Sequence, residues 1–306
     1  MIAFESFHAR LSKELHDIAA AIWDLWGKSG IEEFRQDPYS NVLILVHPYF
    51  WKTLPIEYRS GQAQLLGRYR HWHKLFKRCH IQYSTDVHES IDQIDADILS
   101  AIELKSGWGT AATVQQNRTS LSERIGVFHQ LLDQHVATEP DLVVVPDTNA
   151  LLKSADPSCY SSAIDCARFR FIIVPTVLAE LDELKRTRGT QPVGQKAEKA
   201  IRVIKGLRNQ GSVRDGVTVA RTITVQMVPT EPKMSSLPSW LDADNHDDRI
   251  IGSILEIQCA QPSATVVLVT DDLNLQNKAE MAFLPWAEPP EPPAKTASDS
   301  AAGEGA

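Results

Sequence analysis

The 306-residue chain has few cysteines, no long apolar run and no excess of positive charge. Its four cysteines, Cys79, Cys159, Cys166 and Cys259, form no Cys-x-x-Cys pair, which argues for reduced thiols rather than a disulfide framework. The longest apolar stretches, such as 42–46 and 171–174, are far too short to span a bilayer. Residues 1–5 lack a basic segment leading into an apolar one, so no signal peptide is expected. A formal net charge of −8 excludes a general basic coat for nucleic acid, but not a local basic surface. The expectation is a soluble, cytoplasmic protein with no membrane association. With 43% hydrophobic residues the chain can build a sizeable core, and its length suits about two domains.

Apolar spacing changes character along the chain. Over residues 4–26, Phe4, Phe7, Leu11, Leu15, Ile18, Ile22 and Trp26 recur at three- and four-residue steps, predicting a helix ended by Gly27 and Gly30. Residues 41–46 read as a short buried strand between Pro38 and Pro48, and 61–80 as a second helix rich in bases and aromatics. Residues 105–119 read as a polar loop, after which Ser120 and Glu123 have capping-box spacing ahead of Ile125, Phe128, Leu131 and Leu132. Residues 1–136 are thus expected to form a mostly α-helical domain. It carries no motif that names a role, and is the natural place for a protein partner or a second copy of the chain.

From residues 136–140 onward, apolar strands alternate with helices. Strands are expected at 142–145, 171–174 and 266–269, with a β-rich segment over 217–228. Helices are expected from Pro175, over 195–209, over 244–259 and over 275–283. Continuous apolar strands separated by helices mean an α/β domain over 140–286, its central parallel sheet covered on both faces. Residues 287–306, rich in proline and small polar residues, are expected to be a disordered tail.

Acidic residues recur at the ends of these elements. Asp147 follows the first strand, Asp271 and Asp272 follow the last, Glu180 lies early in the helix from Pro175, and Asp247 and Asp248 begin a later helix. In open parallel sheets ligands bind beyond the carboxyl ends of the strands, so all of these acids are directed to one edge. Residues 244, 247, 248 and 251 share a helical face. Like charges gathered so closely call for a cation. Oxygen donors without a Cys/His cluster point to Mg²⁺ or Mn²⁺ rather than zinc. Such sites serve phosphoryl chemistry.

Taken as an ordered set, Pro146-Asp147-Thr148-Asn149, the Glu-Leu-Asp-x-Leu-Lys stretch 180–185, Asp247-Asp248-Arg249-Ile250-Ile251 and Val269-Thr270-Asp271-Asp272-x-Asn274-Leu275 resemble the PIN-domain nucleases. The closest flavour is the branch that includes RNA-surveillance endonucleases. The resemblance implies a three-layer α/β/α domain and a metal-dependent endoribonuclease that cleaves single-stranded RNA, giving a 5′-phosphate and a 3′-hydroxyl. The family's acids fall on Asp147, Glu180, the Asp247–Asp248 pair and either Asp271 or Asp272. Asp248 is preferred within its pair, because the family's acid stands three residues before an apolar helix residue, here Ile251. Thr148, Asn149 and Thr270 would orient ligands or water behind these acids.

Two basic segments stand out in an acidic chain. Residues 185–208 carry Lys185, Arg186, Arg188, Lys196, Lys199 and Arg202 among others, with Lys196, Lys199 and Arg202 on one helical face. This suits contacts to RNA phosphates. Residues 68–78 mix bases with Tyr69, Trp72 and Phe76. Aromatics there could stack on bases, but the spacing equally fits an amphipathic helix whose rings pack inward. A haloacid-dehalogenase-type phosphohydrolase would need an acid two residues after Asp147, where Asn149 stands. The remaining alternatives are a flap-type DNA nuclease and a non-catalytic RNA-binding scaffold.

Overall fold

A computed structural model describes residues 4–34, 47–80, 83–107, 109–134 and 141–291. The strand expected at 41–46, the change of character at 136–140 and the tail from 292 onward lie outside these residues. The chain divides into two compact units, one of Ser6–Glu139 with Cys259–Ser263, the other of Met1–Glu5, Pro140–Gln258 and Ala264–Ala306. Among the described residues no helix is long and apolar enough to cross a membrane.

The N-terminal unit is helical. Helix α1 (Phe7–Ser29) begins at Ser6, whose side chain accepts from the Ala9 N–H. It runs through Gly27, since one interior glycine costs only about 1 kcal/mol, and stops at Gly30. There φ is +77°, a backbone conformation that glycine adopts without a side-chain penalty. Strands β1 (Ile31–Glu33) and β2 (Tyr49–Trp51) pair antiparallel. Helices α2 (Arg59–Cys79), α3 (Thr85–Ile102) and α4 (Val114–Asp133) follow.

The capping box lies earlier than expected. Thr113 accepts from the Gln116 N–H while the Gln116 side chain accepts from the Thr113 N–H, so α4 starts at Val114 and Ser120 is inside it. The Thr-x-x-Gln pair satisfies two end donors reciprocally, which the Ser120/Glu123 spacing only mimics. Tyr69, Trp72 and Phe76 are buried. Trp72 packs on Phe76 and Phe128 at 4.9 and 5.5 Å, and its indole N–H donates to the Leu11 carbonyl at 2.8 Å. The aromatics of 68–78 are therefore core and not a stacking platform.

The C-terminal unit contains, in order, β3 (Leu142–Pro146), α5 (Thr148–Lys153), α6 (Tyr160–Ala163), β4 (Phe169–Ile173), α7 (Pro175–Arg188) and α8 (Pro192–Arg208). Then come β5 (Val217–Val219), β6 (Ile223–Met227), α9 (His246–Ala260), β7 (Thr265–Val269), α10 (Leu273–Met281) and β8 (Trp286–Ala287). The six strands are ordered β5-β6-β4-β3-β7-β8. Every neighbouring pair is parallel except β5–β6.

That exception corrects an all-parallel sheet. The connection over 220–222 is too short for a crossover, and Ala220 and Arg221 take positive φ to turn the chain back on itself. Ala287, expected in the tail, pairs with Val269. Asp244 lies in a turn ahead of α9 rather than on its face, because the helix begins only at His246. Central strands β3 and β7 are buried nearly throughout, as apolar strands covered by helices on both sides must be.

Candidate acidic site at the strand ends

Parallel pairing brings β3, β4 and β7 to a common carboxyl edge. Pro146 stands opposite Val269, and the Asp147 N–H donates to the Val269 carbonyl at 3.0 Å. The first residues beyond these strands, Asp147 and Thr270, therefore lie side by side. The Thr270 hydroxyl donates to Asp147 Oδ2 at 2.6 Å, and the Ala150 N–H donates to Oδ1 at 2.6 Å, making Asp147 the N-cap of α5. Asp147 is buried. Burial pushes its carboxyl up to about 6, against the lowering effect of these two hydrogen bonds, and the charges of Asp271 and Asp272 push the same way.

Helix α7 forms the facing wall. Pro175 occupies its first turn, where the missing N–H costs nothing. Glu180, Glu183, Leu184 and Thr187 then recur at three- and four-residue steps along a cleft of about 410 Å³. Glu180 is bonded at both oxygens, to the Thr148 hydroxyl and to His246 Nδ1, the latter at 2.7 Å. Asp247 and Asp272 complete the lining carboxylates. Asp272 caps α10, accepting from the N–H groups of Asn274 and Leu275 at 2.8 and 3.1 Å.

The neighbouring acid in each pair faces elsewhere. Asp248 is buried and accepts from the Asp242 N–H at 2.8 Å. Its Oδ1 lies 2.8 Å from Lys278 Nζ, an ion pair outside hydrogen-bond angles. Asp271 pairs with Lys153 at 2.5 Å. Lys278 also stands 3.6 Å from Asp247.

Residues 144–286 match the family model of the PIN domain. Residues 144–286 form a PIN domain. No curated protein matches the chain. PIN domains are usually nucleases and generally use divalent metals.

Among the described residues of this PIN domain, no three His, Cys, Asp or Glu side chains are yet gathered as an ion would hold them. The donor chemistry nonetheless fits a hard divalent ion. Carboxylates from four elements line one cleft, and Asp147 bears a desolvation penalty that a cation would relieve. Asn149 and Thr148 line the same cleft, while Thr270 lies buried behind Asp147.

The predicted basic residues divide. Arg188 lines the PIN cleft, whereas Lys185, Arg186, Lys196, Lys199 and Arg202 are exposed on α7 and α8. The two helices are joined by a turn that depends on Gly194, where a Cβ would lie 1.9 Å from the Arg188 carbonyl oxygen.

His246, Lys153 and Lys278 were given no site role from the sequence. A histidine directly before the Asp247–Asp248 pair was the available signal for the first. For Lys278 it was the spacing of one turn from Asn274, whose amide also approaches Asp247, at 3.5 Å. A second cleft of about 450 Å³, within the helical unit, includes Trp26, Trp51, Asp97 and Arg124. It gathers no acidic cluster, and Asp97 and Arg124 pair with each other.

Proposed function

We propose that the PIN domain is a divalent-metal-dependent endoribonuclease acting on single-stranded RNA. The observation that carries this reading is the convergence of Asp147, Glu180, Asp247 and Asp272, from four separate elements, on one cleft with Arg188 among its lining residues. These four would hold Mg²⁺ or Mn²⁺, which when bound activates water and offsets the phosphate charge. Asp248 and Asp271, each paired with a lysine, add to the local field and support their neighbours.

Thr270 fixes Asp147, and Thr148 fixes Glu180, so neither carboxylate is free to turn away. Asn149, exposed beside Asp147, is placed to orient water or substrate. Arg188 supplies a phosphate contact near the cleft, and the Lys196, Lys199 and Arg202 face continues it along α8. Water adds to phosphorus, the bond to the 3′ oxygen breaks, and that oxygen takes the proton. The products are a 5′-phosphate and a 3′-hydroxyl.

A second reading is a non-catalytic RNA-binding scaffold. It is favoured by the engagement of Asp147 and Glu180 with protein donors and by the lack of a ready-gathered metal set among the described residues. Cleavage of end-labelled single-stranded RNA, single-stranded DNA and duplex RNA in Mn²⁺ or EDTA separates the readings. Only the single-stranded RNA is expected to be cut, only with Mn²⁺, and Asp147→Asn should slow cutting by roughly a thousandfold. Cleavage in EDTA, or undiminished in the variant, contradicts the mechanism. Binding without cleavage supports the scaffold.

A further inference from the structure

We propose that His246 is itself a nitrogen ligand of the divalent ion, oriented for that role by Glu180. The inference rests on the metal-dependent reading above and changes its donor set from all oxygen to mixed oxygen and nitrogen: His246 takes the place of Glu180, which holds the imidazole instead of the ion.

His246 is the first residue of α9 and lines the acidic cleft, the one imidazole among the described lining residues. Its Nδ1 is 2.7 Å from Glu180 Oε1. An ionised carboxylate can only accept, so Nδ1 carries the proton, and the neutral ring then has its lone pair on Nε2. Imidazoles that bind metals through one nitrogen commonly donate their other N–H to a carboxylate, which fixes the tautomer and the ring plane. Glu180 is equipped to do this. Its other oxygen is held by the Thr148 hydroxyl, and Thr148 directly follows Asp147 in the chain. Thr148, Glu180 and His246 thus form a hydrogen-bonded relay reaching from the end of β3 to the start of α9.

The His246 side chain is 46% exposed, so the ring can pivot about its Nδ1–Glu180 bond with little packing resistance. His246 also adjoins Asp247, which lines the same cleft. An imidazole among carboxylates tilts a site toward transition-metal ions and away from Mg²⁺.

The test uses Mn²⁺ as the probe, on the full chain and on His246→Ala and His246→Asn variants whose circular dichroism and unfolding in EDTA match the wild type. Electron spin echo envelope modulation of the Mn²⁺-loaded wild type should show ¹⁴N coupling from a directly bound imidazole, and both variants should lose it. Both should also bind Mn²⁺ more weakly, by at least the roughly tenfold that losing even an outer-shell partner typically costs. Asparagine keeps an N–H donor for Glu180. If His246 merely anchored Glu180, His246→Asn would retain wild-type Mn²⁺ affinity, and that result overturns the assignment. Mn²⁺ bound to the wild type without ¹⁴N coupling overturns it too, leaving a carboxylate site intact. Failure of the wild type to bind Mn²⁺ at all overturns the metal-dependent reading, and the ligand assignment with it.

Discussion

The helical unit and the PIN domain bury polar groups of different kinds. The helical unit buries neutral ones. Asn117 gives its amide to the backbone of Ala111 and Thr113, and burial lowers the pKa of His80, disfavouring the charged ring. Its charges lie in surface pairs such as Arg68 with Glu14 and Lys77 with Asp92, which contribute little. The PIN domain buries Asp147 and Asp248, the buried carboxylates among the described residues. One unit buries no carboxylate among its described residues. The other holds charge where charge is costly, at the strand ends, and that is where function is to be sought.

The largest expected effect on the stable side comes from Trp72→Ala. It removes the ring that packs Phe76 and Phe128 together and should destabilise the helical unit by about 3–5 kcal/mol in denaturant unfolding. A loss below about 1 kcal/mol would mean that the unit is not organised around this cluster. Next comes Gly194→Ala in the PIN domain. Its new methyl would meet the Arg188 carbonyl, so a loss of about 1–3 kcal/mol is expected, along with weaker RNA binding as the α7–α8 turn shifts. The smallest effect is expected from replacing Lys196, Lys199 and Arg202 together by alanine. All three are exposed, so thermal stability should be unchanged. The salt dependence of single-stranded RNA binding should fall by about 2 in log–log slope, at about 0.7 per phosphate contact. An unchanged slope would remove α8 from the RNA path.

The two units also differed in how much their residues disclosed. Strands β3, β4 and β7 were legible because a strand buried on both faces is a continuous apolar run. The acids were legible because each follows such a run. Within the pairs 247–248 and 271–272 sequence could not choose. Which side chain enters the cleft depends on the helix start and on lysines distant in the chain. Lys278 reaches Asp248 and Lys153 reaches Asp271, leaving Asp247 and Asp272 to line the cleft. The preference for Asp248 came from spacing to Ile251, a criterion that does not register Lys278. The edge strand β5 and helix α3 were not resolved from the sequence. β5 is only three residues long, and α3 spreads its apolar face over isolated isoleucines, Ile91, Ile94 and Ile98. The α4 start was misplaced because Ser120/Glu123 and Thr113/Gln116 both have capping-box spacing, and only the second makes the hydrogen bonds.

The central claim is that Asp147 is held at a cost to stability that a cation repays. In the folded protein its carboxyl is pushed up to about 6 from 3.8, so it favours the fold only while protonated. That contribution is complete below about pH 4 and is lost as pH rises through about 6, at a cost of up to about 3 kcal/mol. The direct measurement is the Tm of the wild type and Asp147→Asn near pH 7.5, in EDTA and in saturating Mn²⁺. In EDTA the variant should melt higher than the wild type. At an Mn²⁺ concentration of about 100 times Kd the wild type should gain about 2.7 kcal/mol and the variant much less. A wild type that is the more stable of the two in EDTA, and that does not respond to Mn²⁺, would contradict the account.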